Sequence, residues 1–206
     1  MRPILTPKRT ADDQFEIAVE TPALAQALAQ AVRDMHLAED VVAGLDSVCI
    51  RFHPSRASVV ERRLAQGLSE PIAAPEHADL IDIGIRYGGE HGPDLDQICQ
   101  SLSLSVDAFI NVHSSREHRV EMIGFTPGFS YISGLPDGVR IPRLTQPRSR
   151  VAAGSVGISA DFTGLYALAG PGGWPLIGRT EDTLFDASSD TPFRLTPGQR
   201  IKFRAI

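Results

Sequence analysis

From Arg119 onward the chain is interrupted every few residues by glycine or proline, and this punctuation constrains its fold more than any other feature. The apolar runs between the interruptions are short: Val120–Ile123, Ser155–Ser159, Leu165–Leu168, Leu176–Ile177 and Ile201–Phe203. Glycine loosens the backbone, while proline fixes φ and removes a hydrogen-bond donor, so long helices are disfavoured across such a stretch. Several short strands separated by turn signals predict an all-β barrel or sandwich.

The residues before it read differently. Residues 1–13 are polar, contain Pro3 and Pro7, and are expected to form a mobile tail. Phe15 to Glu20 alternates apolar and polar side chains, as a half-buried strand does. Thr21-Pro22 then supplies a helix cap and a proline at the first helical position, and Leu24, Leu28, Ala31, Val32 and Met35 recur at helical spacing. Val48–Phe52 reads as a second strand, and Ser58 with Glu61 suggests a capping box opening a second helix that ends near Gly67. This β-α-β-α unit is followed by Pro71–His77, where prolines bracket small residues as in a linker. Strand alternation resumes over Asp79–Tyr87, and two helices are predicted after it, opened by Asp94 and by Ser105. The expected class is α+β: a small β-α-β-α domain over residues 1–76, then a β-barrel domain over residues 77–206.

Composition excludes several functions. The net charge is -5 with 22% charged and 42% hydrophobic residues in 206, an ordinary globular balance with no basic surface for nucleic acid or an anionic membrane. The N-terminal residues lack the apolar core of a signal peptide, and no run of about 18 apolar residues occurs. The expected location is therefore the cytoplasm. Cys49 and Cys99 have no Cys-x-x-Cys neighbour or histidine at ligand spacing, so they read as reduced structural thiols, and no metal site is expected.

Chemistry concentrates between Gly124 and Thr180. The turn Phe125-Thr126-Pro127-Gly128-Phe129 is rigid and aromatic, as is Pro171-Gly172-Gly173-Trp174 after Tyr166. Arg143, Arg148 and Arg179 follow or adjoin such turns, and Gly154-Ser155 lies among them. Guanidinium forks bind carboxylate or phosphate in bidentate fashion. Stiff turns, aromatic walls and arginines together describe a pocket for a small anionic ligand. At least two of the three arginines are expected to converge with His113 on a groove walled by Phe125, Phe129 and Trp174. His113 closes a predicted helix, where the helix dipole would raise its pKa. Glu181 is expected to pair with Arg179. The alternative for each turn is a barrel corner without function, and for each arginine a surface ion pair.

The segments GFTPGFSYISGLP, PRLTQPRSRVAAGSV and YALAGPGGWPLIGRT, taken in this order, resemble the family of the 5-oxoprolinase B subunit, also described as Kip-type kinase inhibitor or allophanate hydrolase subunit 1. Tyr87, Gly92-Pro93-Asp94-Leu95 and His113 fit the same family, and the resemblance spans about residues 80–206. The chain departs from the family's usual pattern in four places: His118 stands in place of a tyrosine, Ala167 of a proline, Gly170 of a serine, and Ala11-Asp12-Asp13-Gln14 of a Gly-Asp entry to the first strand. The resemblance implies a cyclophilin-like barrel behind a small α+β domain. It also implies one component of an ATP-dependent enzyme that opens the lactam of 5-oxoproline to glutamate, working with partners like the A and C subunits of that enzyme. By that implication His113, Arg143, Arg148 and Arg179 are candidate catalytic residues. The implied substrate-binding set is Phe125, Pro127, Gly128, Phe129, Gly154, Ser155, Tyr166, Pro171, Gly172, Gly173 and Trp174. Two other activities occur among similar sequences, inhibition of a sensor histidine kinase and carboxyl transfer in urea or allophanate metabolism.

The sequence has no Gly-x-Ser-x-Gly elbow and no phosphate loop of the Gly-x-x-x-x-Gly-Lys-Ser/Thr type. ATP is therefore expected to sit on a scaffold shared with a partner protein, and the chain alone is expected to be catalytically silent. An assay of the pure chain with 5-oxoproline and ATP checks this, and robust turnover would refute it.

Overall fold

The computed structural model describes residues 5–68 and 79–206, so the expected linker at Pro71–His77 lies outside the described residues. The chain divides into two compact units, Met1–Glu76 and His77–Ile206.

The first unit begins with β1 (Lys8–Ala11) and β2 (Gln14–Ala18), followed by α1 (Pro22–Asp34), β3 (Asp40–Ala43), β4 (Ser47–Arg51), a 3-10 turn at Pro54–Arg56 and α2 (Ala57–Gly67). The strands form an antiparallel sheet in the order β1-β2-β4-β3. Strand alternation buries Phe15 and Ile17 of β2 and Val48 and Ile50 of β4, and these meet Leu28 and Val32 of α1 and Val60 and Leu64 of α2. Thr21 caps α1 as its sequence suggests, with its Oγ1 accepting from the Leu24 N–H at 3.2 Å.

Three sequence expectations for this unit are corrected. Residues 8–11 are not a mobile tail but an edge strand paired with β2. Every residue of β1 is exposed, so no apolar alternation betrays it, and Lys8 and Arg9 give the edge the charge that discourages further pairing. The unit is β-β-α-β-β-α rather than β-α-β-α, because β1 and the four-residue β3 carry too little pattern to be read. Ser58 and Glu61 form no capping box: the 3-10 turn starts the helical path earlier, and Ser58 lies inside α2, whose cap position is Arg56 without a side-chain bond.

The second unit contains β5 (Leu80–Tyr87), α3 (Leu95–Ser101), α4 (Val106–Ser115), β6 (Glu117–Ile123), β7 (Ser130–Ser133), β8 (Arg148–Val151) and β9 (Ser155–Ser159). It continues through β10 (Phe162–Leu165), β11 (Gly170–Gly172), β12 (Leu176–Arg179) and β13 (Arg200–Ala205). Seven strands close a barrel in the order β10-β7-β6-β13-β5-β12-β9, and β8 and β11 form a separate ribbon. The pairing of β5 with β13 is parallel, and the other barrel pairs are antiparallel. The fold is α+β, with α3 and α4 placing Leu95, Ile98, Cys99 and Phe109 on a core that includes Ile83, Ile85, Val120, Ile132, Ile177 and Phe203. The expected run Leu165–Leu168 is not a strand. β10 ends at Leu165, and Tyr166 leaves the barrel core for a neighbouring aromatic cluster. Among the described residues no helix is long and apolar enough to cross a membrane, and Cys49 and Cys99 are free.

Each unit has its own buried apolar cluster. A fragment spanning residues 78–206 should therefore unfold in a single cooperative thermal transition; a broad, non-cooperative melt from this fragment, with a sharp one from the whole chain, would show that the barrel needs the first unit.

Candidate functional site

Beside the barrel core lies a smaller buried cluster of Phe129, Val151, Tyr166, Trp174 and Leu176. Phe129 is its hub. Its ring meets those of Phe125, Tyr131, Tyr166 and Trp174 edge-on, with centroids 5.6, 5.0, 4.9 and 5.5 Å away. Each such pair contributes about 0.5–1.5 kcal/mol beyond its burial. Two glycines make this packing possible. A Cβ on Gly164 would lie 2.6 Å from the Trp174 ring and 2.8 Å from that of Phe129, and one on Gly172 would lie 2.5 Å from the Tyr166 hydroxyl.

The cluster borders a cavity of about 290 Å³. Its aromatic walls are Phe125, Phe129, Tyr131, Tyr166 and Trp174. Leu144, Pro147, Pro171, Gly172 and Gly173 complete it, and Arg143 is the charged residue in the lining. Phe125 forms the rim: it is 65% exposed and held at φ 70°, a conformation that costs a bulky residue of order 1–3 kcal/mol. Burial raises the pKa values of Tyr131 and Tyr166, so both hydroxyls stay protonated at neutral pH.

The structure thus brings Arg143, Phe125, Phe129 and Tyr166 together with the Pro171–Trp174 turn. Pro127 and Gly128 are not in the lining. They shape the turn behind it, where Phe129 N–H donates to the Thr126 carbonyl at 3.0 Å and Gly128 adopts φ 77°. The lining also contains Tyr131, Leu144 and Pro147, which lie outside the set expected from sequence. Tyr131 was the findable one, because it lies two residues from Phe129, and residues spaced by two share a face of an extended chain.

The expected convergence of arginines and His113 does not occur. Arg148 points to Asp94, with its Nη2 2.8 Å from Asp94 Oδ1. Arg179 lines a different cavity of about 510 Å³, with Gly154, Arg86, His91 and Glu181, and its Nε donates to the Ala153 carbonyl at 3.0 Å. Glu181 pairs with Arg86, not with Arg179. Ser155 is buried, and its carbonyl accepts from Tyr166 N–H at 2.9 Å.

His113 lies inside the barrel unit, 1% exposed and stacked 4.7 Å from the Phe203 ring. Its Nδ1 is 2.6 Å from the Tyr87 hydroxyl and its Nε2 3.0 Å from Thr163 Oγ1. Neutral His113 protonated on Nε2 satisfies both contacts, accepting from Tyr87 and donating to Thr163. His118 Nε2–H donates to the His113 carbonyl at 2.8 Å. Burial, reinforced by His118, pushes the His113 pKa well below 6.5, the reverse of the expected helix-dipole effect. Burial also lowers that of His118. Among the described residues no three His, Cys, Asp or Glu side chains group to hold a metal.

The sequence matches the family described as carboxyltransferase domain, subdomain C and D, over residues 9–195. The chain belongs to this family. The B subunit of the 5-oxoprolinase of Escherichia coli O157:H7 is 39% identical over 178 residues, which cover 85% of this chain and 82% of the relative. Among solved structures, the carboxyltransferase-domain fold seen here superposes on TTHA0988 with a TM-score of 0.79 and 32% identity, over 94% of this chain. The chain spans only 40% of the TTHA0988 chain. It also matches the urea carboxylase of Kluyveromyces lactis with a TM-score of 0.76, over 98% of this chain and 22% of that one. At 19% identity this last likeness is one of fold alone.

The buried histidines make a prediction about pH. Both have folded-state pKa values below the ordinary 6.5, so the unfolded chain binds more protons once the pH drops below that value. Their contribution is intact above pH 6.5 and is lost progressively as the pH falls. Denaturant titrations between about pH 7.5 and 5 should show stability declining on the acid side, with a shallower decline in His118→Gln. Equal slopes for the two proteins would show that His118 does not contribute.

Proposed function

We propose that this chain is the B subunit of an ATP-dependent 5-oxoprolinase, which hydrolyses 5-oxoproline to glutamate together with partners like the A and C subunits of that enzyme. The observation that carries this reading is the 39% identity to a protein of that name across most of both chains. The aromatic cavity supports it chemically. 5-Oxoproline is a small five-membered lactam with one carboxylate, and the cavity offers aromatic walls with one guanidinium in its lining. In this reading Arg143 holds the carboxylate through a bidentate pair. Phe129, Tyr166 and Trp174 hold the ring and exclude water, and the protonated hydroxyls of Tyr131 and Tyr166 serve as donors to the lactam oxygen. ATP supplies the energy for lactam opening, with its site shared with a partner protein. Inhibition of a histidine kinase or a part in carboxyl transfer draws no comparable support from the close relatives, and the urea carboxylase likeness concerns fold.

The reading is tested by assembling the chain with its partners and measuring ATP-dependent glutamate formation from 5-oxoproline, with urea and allophanate as competing substrates. In that enzyme Arg143→Lys, which keeps the charge but loses the fork, should lower kcat/KM by roughly tenfold or more. Arg179→Lys, in the other cavity, should cost about 0–1 kcal/mol. An Arg143→Lys enzyme with wild-type kcat/KM would remove Arg143 from the site while leaving the overall activity intact.

A further inference from the structure

Asp94 occupies the cap position of α3, yet its carboxylate makes no capping bond to that helix. Aspartate at such a position ordinarily accepts from the helix's own first-turn N–H groups. Here both oxygens go elsewhere. Oδ1 is 2.8 Å from Arg148 Nη2, and Oδ2 accepts the backbone N–H of Leu176 at 2.6 Å. The Asp94 N–H in turn donates to the Leu176 carbonyl at 3.1 Å, so Asp94 and Leu176 are joined twice. The pair is largely shielded, with the Asp94 side chain 14% and the Arg148 side chain 30% exposed. Arg148 Nη1 is buried and has no protein partner.

The attachments of this ion pair lead to Pro147 and to both ends of the Pro171–Trp174 turn. Arg148 follows Pro147 in the chain and pairs in register with Gly172, both of them lining residues. Leu176 is separated only by Pro175 from Trp174, and the Pro175 carbonyl is itself held by the Ile158 N–H at 2.9 Å. One carboxylate therefore ties Pro147, through Arg148, to the chain that leaves the Pro171–Trp174 turn, where Pro147 Cγ would lie 3.6 Å from a Cβ on Gly173.

We infer that Asp94 is a positioning residue for the aromatic cavity, acting through Arg148 and Leu176 to hold Pro147 against the Pro171–Trp174 turn. The role rests on that cavity being the binding site proposed above, but it can be read without knowing the ligand. Trp174 is the sole tryptophan, so the intrinsic emission of the chain reports on this wall.

The experiment compares Asp94→Asn, Asp94→Ala and Arg148→Lys with Glu181→Gln, which breaks the exposed pair with Arg86 at the other cavity. Asp94→Asn can still accept from Leu176 N–H but loses the charge. In folded protein, checked by circular dichroism, Asp94→Ala should red-shift Trp174 emission and raise its quenching by acrylamide. Asp94→Asn should do so less, Arg148→Lys least, and Glu181→Gln not at all. In the assembled enzyme the Asp94 variants should lower kcat/KM by about tenfold to a hundredfold, chiefly through KM, as expected for displaced binding groups. An unmoved Trp174 signal in folded Asp94→Asn or Asp94→Ala overturns the proposal. If neither Asp94 variant folds, Arg148→Lys decides: unchanged emission and KM overturn it, and a shift in both upholds it. Wild-type enzyme inactive on 5-oxoproline, with Trp174 still responding to Asp94, would refute the proposed substrate and leave the positioning role standing.

Discussion

The parallel pairing of β5 with β13 is the constraint on which the second unit depends. It joins the first and last barrel strands along six registered positions, from Leu80 with Arg200 to Ile85 with Ala205. Without it the seven strands would be an open sheet, with β5 and β13 each bare on one side. Closure satisfies those backbone groups and gives Ile83, Ile85, Ile201 and Phe203 a common interior. A contact between segments so distant in sequence has a large loop-closure cost, so it becomes favourable only when the intervening strands already supply much of the core.

Much of this was legible in the residues. Strand alternation located β2, β4 and β5, and Thr21 and Ser105 marked helix starts through the side-chain oxygens that cap them. What stayed hidden had either no burial contrast or no room for a pattern. β1 is exposed throughout, while β8 and β11 hold charged or glycine-proline sequence that reads as loop. The aromatic walls could be named because stiff Pro-Gly turns hold the rings beside them in fixed positions. The fate of each arginine could not, because sequence shows a guanidinium but not the carboxylate or carbonyl that will take it. Asp94 and Arg148 are 54 positions apart, and only the fold puts them 2.8 Å from one another.

The three arginines also illustrate how a protein divides charge between holding itself together and meeting a ligand. Arg148 is committed to Asp94, and Arg179 is anchored by a backbone carbonyl. Arg143 stands exposed at the edge of the aromatic rings, where its guanidinium is open to an anion. His113 was drawn to the same set by its place at a helix end, yet the rings of Phe109 and Phe203 and the hydroxyls of Tyr87 and Thr163 make it a neutral core residue.

The hub arrangement around Phe129 has a consequence for how this cavity can change over evolutionary time. Four rings touch one ring, and two of the approaches are open only because Gly164 and Gly172 lack side chains. Residues sharing a partner in this way are energetically coupled, so the effect of altering one wall depends on what stands at the others. A smaller ring at Trp174 would leave space that a larger residue at position 164 could occupy, whereas either change alone leaves a void or a clash. The cavity is therefore epistatic: a change at one of these positions limits what the others tolerate, and a relative with a different ligand should differ at several of them together.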